Sequence, residues 1–375
     1  MRVLVLNAGS SSVKLRVVGP DGSVVHRADL DAPRGRSAPG ELEAAALRLA
    51  HEAGGVDAVG HRVVHGGPDF TTAVVVCPDV LDRIERLTVL APLHQPPAVV
   101  GIRAMTAALP DIPSVACFDT AFHATMPPAA TTYAVPTRWR SELGMRRYGF
   151  HGLAHQWAAA RAAELVGRPL DELRVVVAHL GSGASACAVA DGRSVDTTMG
   201  FTPTAGLVMA TRCGDLDPSA VTWLTVHAGE PAAEVDHALD HASGLLALAG
   251  DADMRHVLAA RDAGDPVAEL AVEVWVHRAR AQLAAMAAAV GGVDVLAFSG
   301  GVGENAPVLR QRVVEGLHFL GVAIDPDADA VAVDGAEGDV SAGRATARTV
   351  VVHAREDLVI ARQVRDVLTR QQQSG

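Results

Sequence analysis

Two segments of the chain repeat one order of apolar and polar stretches. Residues 2–25, "RVLVLNAGSSSVKLRVVGPDGSVV", predict an apolar strand, a Gly/Ser turn, a second strand and an Asp-Gly turn into a third strand. Residues 174–196, "RVVVAHLGSGASACAVADGRSVD", predict the same succession. Aligning Gly9 with Gly181 superimposes the two turns. The pattern therefore predicts an internal duplication with a period of about 170 residues.

Helical periodicity follows each copy, and a third glycine-rich segment follows the second helix. In chain order, the pattern predicts a helix in 40–54, a helix in 265–292, a buried strand, glycine turn and amphipathic helix in 293–317, a loop in 334–349, a strand in 350–354 and a helix in 356–373. Strands that alternate with helices in two related halves predict a two-domain α/β protein with a cleft between the halves.

Length and charge narrow the classes of function. A chain of 375 residues is too long for one typical domain. The net charge of -11 argues against a nucleic acid or an anionic membrane as partner, because the overall field would repel both. The longest apolar stretches fall short of a membrane span. The start "MRVLVLNAGSS" has too few apolar residues for a signal peptide, so we expect a cytoplasmic location.

The first Gly/Ser turn, "GSSSVK", ends in the only lysine of the chain, Lys14. Its closely spaced backbone N–H groups, hydroxyls and ammonium group suit a phosphate. It is not a Walker A motif, because a strand rather than a helix follows. A single turn of this kind is more often a hairpin with a solvated lysine. Three such turns, with "HLGSGAS" and "SGGVGEN", favour a nucleotide held by phosphate loops from both halves.

Ten motifs, spread from Asn7 to about Ala361, together resemble the acetate kinase family. In order they are "NAGSSSVK", "GHRVVHGG", "APLHQPP", "FDTAFH", "YGFHG", "HLGSGAS", "GFTPTAGLVMATRCGDLDP", "DMR", "SGGVGENA" and "EDLVIA". The family belongs to the superfamily of acetate and sugar kinases, heat-shock chaperones and actin. The resemblance implies two duplicated actin-like (ribonuclease H-like) α/β domains with an ATP cleft between them. We expect residues 1–122 and the helix 357–375 to form one domain and residues 123–356 the other.

The resemblance also implies an activity, namely the reversible reaction of ATP with acetate to give ADP and acetyl phosphate. ATP and ADP would be the co-substrates and Mg²⁺ the metal ion, with Mn²⁺ as the alternative ion. The family forms homodimers, and we expect the same here.

Acetate is already a carboxylate, so the reaction needs relief from charge repulsion and in-line positioning rather than a general base. In the family pattern two arginines flank the transferred group, and they correspond to Arg62 and Arg212. A guanidinium suits this task because it pairs with carboxylate or phosphoryl oxygens and stays protonated. His151 corresponds to the residue that stabilises the transition state together with Arg212.

Asp119 corresponds to a catalytic residue that also belongs to the metal site. Glu356 and Asn7 complete that site in the family pattern. Carboxylate oxygens suit Mg²⁺, which keeps several of its waters. Next to an anionic substrate, a carboxylate makes more physical sense as a metal ligand than as a base.

Two further groups follow from the resemblance. The nucleotide site would comprise Asn7, Ser10, Ser12, Lys14, His179, Gly181, Ser182, Gly183, Asp253, Met254, Arg255, Gly301, Val302, Gly303 and Asn305. The acetate pocket would comprise Arg62, Val64, Leu93, Phe150 and Pro203. The family usually has Asn where Ser182 stands, which puts that phosphate contact in doubt. At Lys14 we expect a compact ammonium where a planar guanidinium would not fit.

Two other functions stay open. Propionate or butyrate kinases differ by the pocket volume at Val64, and an actin- or chaperone-like ATPase would not need Arg62 and Arg212. A zinc site at His61 and His65 of "HRVVH" is not expected, because the segment reads as a strand and lacks the Glu of the HExxH motif.

Overall fold

The computed structural model describes residues 1–8, 12–31, 38, 40–92 and 94–374. The chain divides into two compact units. The first unit comprises Met1–Ala124, Phe150–Trp157 and the segment from Arg355 onward. The second comprises Thr125–Gly149 and Ala158–Ala354. The domain bounds expected from the sequence stay a prediction.

Each unit contains one six-stranded sheet. The strands of the first sheet are β1 (Val3–Ala8), β2 (Ser12–Val18), β3 (Val24–Asp31), β4 (Ala58–Val63), β5 (Val74–Val75) and β6 (Ser114–Phe118). Those of the second are β7 (Val175–Leu180), β8 (Ala184–Ala190), β9 (Arg193–Thr197), β10 (Val295–Ser299), β11 (Gly338–Asp339) and β12 (Arg348–Val351).

The two sheets share one topology. The first has the order β3-β2-β1-β4-β6-β5 and the second, read from its other edge, β9-β8-β7-β10-β12-β11. In both, the central three strands are parallel and the outer pairings antiparallel. The predicted duplication and the α/β fold class are confirmed. The predicted cleft between the halves stays a prediction.

Helices surround the sheets. In chain order they are α1 (Glu41–Glu52), α2 (Pro78–Arg86), α3 (Gln95–Ala108), α4 (Pro128–Thr131), α5 (Thr137–Ser141), α6 (Gly152–Val166), α7 (Pro218–Trp223), α8 (Ala232–His241), α9 (Gly244–Ala249), α10 (Met254–Asp262), α11 (Pro266–Ala289), α12 (Gly300–Asn305), α13 (Pro307–Glu315), α14 (Pro326–Val331) and α15 (Glu356–Ser374). The predicted helices in 40–54, 265–292 and 356–373 are confirmed.

The first sheet is buried on both faces, which explains the unbroken apolar run of β1. Leu4 and Leu6 point to one face and pack in a cluster with residues of α1 and α3. Val3 and Val5 point to the other and pack with residues of α15. Helix α15 lies so close to β4 that a Cβ at Gly60 would be 2.6 Å from a methyl group of Ile360. The C-terminal helix is thus part of the core of the N-terminal sheet.

Two predictions of local structure were wrong. The glycine turn predicted in "SGGVGEN" is the short helix α12, in which the Gly300 amide donates a hydrogen bond to the Glu304 side chain (2.9 Å). The predicted loop 334–349 contains β11 and the start of β12, which an Arg348–Asp339 ion pair joins. In the part of the chain that the structure describes, none of the helices combines the length and apolar character needed to cross a membrane.

Candidate active site

In the first unit, polar side chains converge where the parallel strands β1, β4 and β6 end. Asn7 lies near the end of β1, Arg62 near the end of β4, and Asp119 directly after β6. Glu356 is the first residue of α15, the helix that covers the face of the sheet to which Val3 and Val5 point. Because the carboxyl ends of parallel strands meet at one edge, residues far apart in sequence come together here.

A chain of hydrogen bonds joins these four residues. The Arg62 Nε donates to both carboxylate oxygens of Asp119 (3.1 and 3.0 Å), and its Nη2 donates to Oδ2 (2.7 Å). The Arg62 Nη1 donates to Asn7 Oδ1 (3.1 Å), and Asn7 Nδ2 donates to Glu356 Oε2 (2.8 Å). Asp119 is only 1% exposed, so Arg62 supplies the counter-charge that its burial requires.

The electrostatics of the pair follow from burial and proximity. Burial opposes the charge on Arg62, but the carboxylates of Asp119 and Glu356 outweigh it and raise the pKa of the guanidinium. Burial raises the pKa of Asp119, and Arg62 opposes that rise. Two carboxylates, those of Asp119 and Glu356, therefore act on one guanidinium.

His151 lies beside this cluster because the next residue, Gly152, is hydrogen-bonded to Asp119. The Gly152 amide donates to the Asp119 carbonyl (2.9 Å), and a Cβ at Gly152 would come within 2.1 Å of that oxygen. Only glycine permits this approach. His151 itself has a φ of 57°, a left-handed conformation that non-glycine residues rarely adopt. Such strain is concentrated at functional sites, where the surrounding contacts hold it in place.

The predicted acetate pocket is described in part. Val64 and Phe150, both buried, lie in the first unit, and the Phe150 and His65 rings form a T-shaped contact with centroids 5.3 Å apart. The Phe150 carbonyl is 2.9 Å from His123 Nε2. Leu93 of the pocket and Ser10 of the nucleotide site lie outside the described residues.

Ser12 and Lys14 lie on β2, beside the cluster. Lys14 is exposed and stands opposite Asn7 in the antiparallel β1–β2 ladder. On the other side it stands opposite Asp29 of β3, whose carboxylate pairs with Arg16 (2.5 Å). Side chains directly opposite each other point to the same face of a sheet. Lys14 therefore shares the face of Asn7 and of the Arg62 cluster.

In the second unit, two glycine-rich turns meet at the end of β7. His179 pairs with Ser299 of β10 at the strand ends. A Cβ at Gly300 (φ 79°) would be 2.7 Å from the Leu180 carbonyl, and one at Gly181 would be 3.8 Å from the Gly301 amide. Gly300 needs to be glycine because of its positive φ and this close approach. Together the two segments present small residues and backbone amides, as phosphate sites do.

The Arg212 loop adjoins the first of these turns. The Ala210 amide donates to the Ser182 carbonyl (3.0 Å), and Arg212 Nη1 donates to the Pro203 carbonyl (2.8 Å). Burial lowers the pKa of Arg212, and the charge of Asp240 opposes that shift. Gly183 closes the turn, because its carbonyl accepts from the Gly181 amide (3.1 Å).

The predicted adenosine residues are largely bonded to one another. Asp253 caps α10, accepts from the Arg255 amide (2.9 Å) and pairs with the exposed Arg255 side chain (2.5 Å). Its bonds to Arg255 lower the pKa of Asp253 to about 2. Met254 is buried next to them. Asn305 donates to the Gly301 carbonyl (2.9 Å) across the helical turn that contains Val302 and Gly303.

Two buried charged residues that are not among the predicted site residues form hydrogen bonds with the backbone in and around α12. Glu304 Oε1 accepts from the amides of Gly300 (2.9 Å) and Ala354 (3.0 Å). Arg310, 1% exposed, donates to the carbonyls of Gly303 and Glu304 (both 2.8 Å) and pairs with Asp329 (2.7 Å). An arginine on an otherwise amphipathic helix gives no sequence signal of such burial.

Comparison with known proteins shows which family the chain belongs to. The model of the acetokinase family matches residues 41–362. An acetate kinase of Micrococcus luteus is 46% identical, over 96% of this chain and 98% of the relative. The chain belongs to the acetokinase family. An acetate kinase of Coprothermobacter proteolyticus is 41% identical, over 98% of this chain and 99% of the relative.

Solved structures give the same result. The crystal structure of Porphyromonas gingivalis acetate kinase has a TM-score of 0.89 at 36% identity and covers 98% of this chain and 99% of its own. That of a propionate kinase from Francisella tularensis has a TM-score of 0.88 at 34% identity, with 96% and 98% covered. The predicted acetokinase family and the predicted enzyme class, a phosphotransferase with a carboxyl acceptor, are confirmed. Membership implies ATP and ADP as co-substrates and a divalent metal ion.

Proposed function

We propose that this acetokinase-family chain transfers the γ-phosphoryl group of ATP to acetate, reversibly, with Mg²⁺ as the metal ion. The transfer is direct and in line, without a phosphorylated enzyme residue. The observation that carries the proposal is the hydrogen-bonded set of Asn7, Arg62, Asp119 and Glu356 at the end of the first sheet. It combines a cation for the anionic substrates with oxygen donors for a metal ion.

The donor set suits Mg²⁺. Asp119 and Glu356 supply carboxylate oxygens and Asn7 an amide oxygen, which are the hard ligands this ion prefers. Bound there with its retained waters, the metal ion would neutralise phosphate oxygens of ATP.

The side chains of this chain would supply positioning and charge. Arg62, fixed by three hydrogen bonds to Asp119, offers its remaining edge to acetate or the phosphoryl group. Arg212, which donates a hydrogen bond to the Pro203 carbonyl, would stabilise the equatorial oxygens of the phosphoryl group, as would His151. Both arginines reduce repulsion between acetate and the phosphoryl group, which is the main barrier to their approach.

The proposal assigns each part of the two substrates to residues described above. Within the second unit, the turn at Gly181 and the start of α12 at Gly301 would contact phosphates of ATP, and Asp253 and Asn305 would contact the adenosine. Within the first unit, Lys14 would contact a phosphate. Of the residues predicted for the acetate pocket, Val64 and Phe150 of the first unit would contact the acetate methyl group. We further propose a homodimer in the cytoplasm, as expected from the family.

Propionate is the second candidate substrate, because a propionate kinase is among the similar structures. The test is ATP-dependent formation of acyl phosphate, trapped as hydroxamate, with acetate and propionate titrated separately and Mg²⁺ or Mn²⁺ added to metal-free protein. We expect acetate to give the higher kcat/KM and Mg²⁺ to restore turnover. ATP hydrolysis that neither carboxylate stimulates would instead indicate an ATPase and overturn the proposal.

Arginine variants sharpen the test. Arg62→Ala is expected to slow hydroxamate formation, though less than Arg212→Ala does, whereas Arg138→Ala, which removes an exposed arginine of α5, serves as the matched control. Circular dichroism and urea unfolding show whether each variant is folded. A folded Arg62→Ala protein with the turnover of the control would remove Arg62 from the site.

A further inference from the structure

The chain has an unusual distribution of amines. Of its 32 Lys and Arg residues only Lys14 is lysine, which leaves 32 - 1 = 31 arginines. A guanidinium does not lose its proton in water and is therefore not an acyl acceptor. Among the side chains of this sequence, the ε-amine of Lys14 is therefore the one primary amine, and the α-amine of Met1 serves for comparison.

These two amines differ in their surroundings. Lys14 is exposed and stands opposite Asn7, whose side chain bonds directly to Arg62 (3.1 Å) and Glu356 (2.8 Å). One residue therefore separates the lysine from the guanidinium that we assign to the substrates. The Met1 amine lies 4.0 Å from Asp57, at the opposite end of β1.

The product of the proposed reaction is an acyl donor. Acetyl phosphate is a mixed anhydride, so an amine attacks its carbonyl carbon and phosphate is the leaving group. We propose that Lys14 is a self-acylation site at which the chain is acetylated by the acetyl phosphate formed beside it. This inference rests on the proposed function.

The step balances without a further reactant. The Lys14 ammonium first releases one proton to solvent. The free amine then forms a C–N bond while the C–O bond to phosphate breaks, and the second proton leaves the nitrogen. The products are an acetamide on Lys14, inorganic hydrogen phosphate and one proton. No group is oxidised or reduced.

The modification would change the site electrostatically. An acetylated lysine has no charge and can no longer attract a phosphate. We therefore expect turnover to fall as acetylation proceeds when acetyl phosphate accumulates. ADP protects the chain, because the reverse reaction consumes the acyl donor.

The Met1 amine is the internal reference for undirected chemistry. An α-amine has a pKa near 8 and a lysine one near 10.4 in unstructured peptides, so the α-amine has a roughly 100-fold larger reactive fraction at neutral pH. Undirected acylation favours Met1 for this reason. Delivery from a bound donor favours Lys14, because proximity raises the effective concentration of the donor.

The experiment uses untagged protein and its Arg138→Lys variant, which adds an exposed reference lysine in the second unit. Both are incubated with synthetic acetyl phosphate, and peptide mass spectrometry measures the acetylated fraction of each amine over time. We expect Lys14 to react at least about 10-fold faster than Met1 and than position 138 of the variant. Excess MgATP should slow only Lys14, and acetic anhydride should remove the preference. Equal rates at the three amines, or faster reaction at Met1, would overturn the inference.

A parallel measurement separates this inference from the proposed function. The fraction of Lys14 acetylated and the remaining hydroxamate activity are determined on the same samples, and the two should change in proportion. Protein that forms hydroxamate from ATP and acetate but leaves Lys14 unmodified contradicts the acylation alone. Protein that synthetic acetyl phosphate modifies at Lys14, but that forms no hydroxamate, contradicts the proposed function alone.

Discussion

The two sheets have one strand order but different chemistry at corresponding places. In the first, β4 ends near Arg62, which pairs with the buried Asp119. In the second, β10 ends at Ser299, a buried hydroxyl, and the chain continues into the glycines of α12. The duplicated topology therefore places functional residues at corresponding strand ends in the two sheets. The side chains at these positions differ, because the first sheet has a charged edge and the second a glycine-rich edge.

The two arginines assigned to the reaction show the same contrast. Arg62 is bonded to a carboxylate that compensates its charge. Among the described residues Arg212 forms no ion pair, and burial lowers its pKa. The charge of Arg62 is largely used within the protein, so it orients substrates. The charge of Arg212 is available to an anion and should contribute more to the transition state.

The largest effect should follow loss of that available charge. Arg212→Ala is expected to lower kcat/KM for acetate by about 10³-fold or more, as for other removed transition-state contacts. Hydroxamate assays on folded protein measure it, with Arg62→Lys in parallel. We expect Arg62→Lys to be impaired as well, because an ammonium cannot reproduce the paired hydrogen bonds. Turnover of Arg212→Ala near the unsubstituted level would reverse the assignment.

The two units should also differ in how strongly acidic pH lowers their stability. Burial lowers the pKa of His61 to about 3 and of His65 to about 4, both in the first unit. Because the unfolded state takes up protons below about pH 6.5 and the folded state does not, stability falls by roughly 1.4 kcal/mol per pH unit for each histidine. The loss begins as the pH drops through about 6.5 and levels off near the folded values.

Urea unfolding between neutral pH and about pH 5 tests this. His61→Asn should remove one proton from the pH dependence, and His318→Gln, at an exposed histidine of the second unit, should leave it unchanged. Amide exchange should accelerate first in β4 and β6. Earlier opening of β7 and β10 would contradict the prediction.

A smaller effect concerns the acetate pocket of the first unit. Val64→Ala enlarges the pocket, and the extra methylene of propionate should fill the space. We expect the propionate-to-acetate ratio of kcat/KM to rise by about 10-fold. Val63→Ala is the matched control, because Val63 packs in the core on the other side of β4. An unchanged ratio in Val64→Ala would place the methyl group elsewhere.

The smallest effect should come from the charge near Arg212. Asp240 accepts a hydrogen bond from the Thr204 hydroxyl and opposes the effect of burial on Arg212. Asp240→Asn keeps an acceptor and removes the charge, so the KM for acetate should fall by about 2- to 3-fold, and salt should erase the difference. Asp236→Asn, one turn earlier on α8, is the control. A higher KM would mean that the Thr204 contact matters more than the charge.

The sequence predicted the repeated strands and the long helices because their apolar periodicity is strong. It did not predict the position of β5 and β11, since each has only two residues and is defined by pairing across the sheet. The motifs indicated Arg62 and Asp119 through resemblance, but the bonds that orient them depend on strands far apart in the chain. Burial of Arg310 depends on tertiary packing in the same way, which is why no local pattern reveals it.

The division of the chain has a consequence for its synthesis. The chain passes from one unit to the other after Ala124, Gly149, Trp157 and Ala354. Helix α15 completes the core to which Val3 belongs. During translation, the face of the first sheet that packs on α15 therefore lacks its cover until Glu356–Ser374 emerge from the ribosome. The second unit is complete at Ala354 and can fold earlier, so the N-terminal sheet, although made first, is finished last.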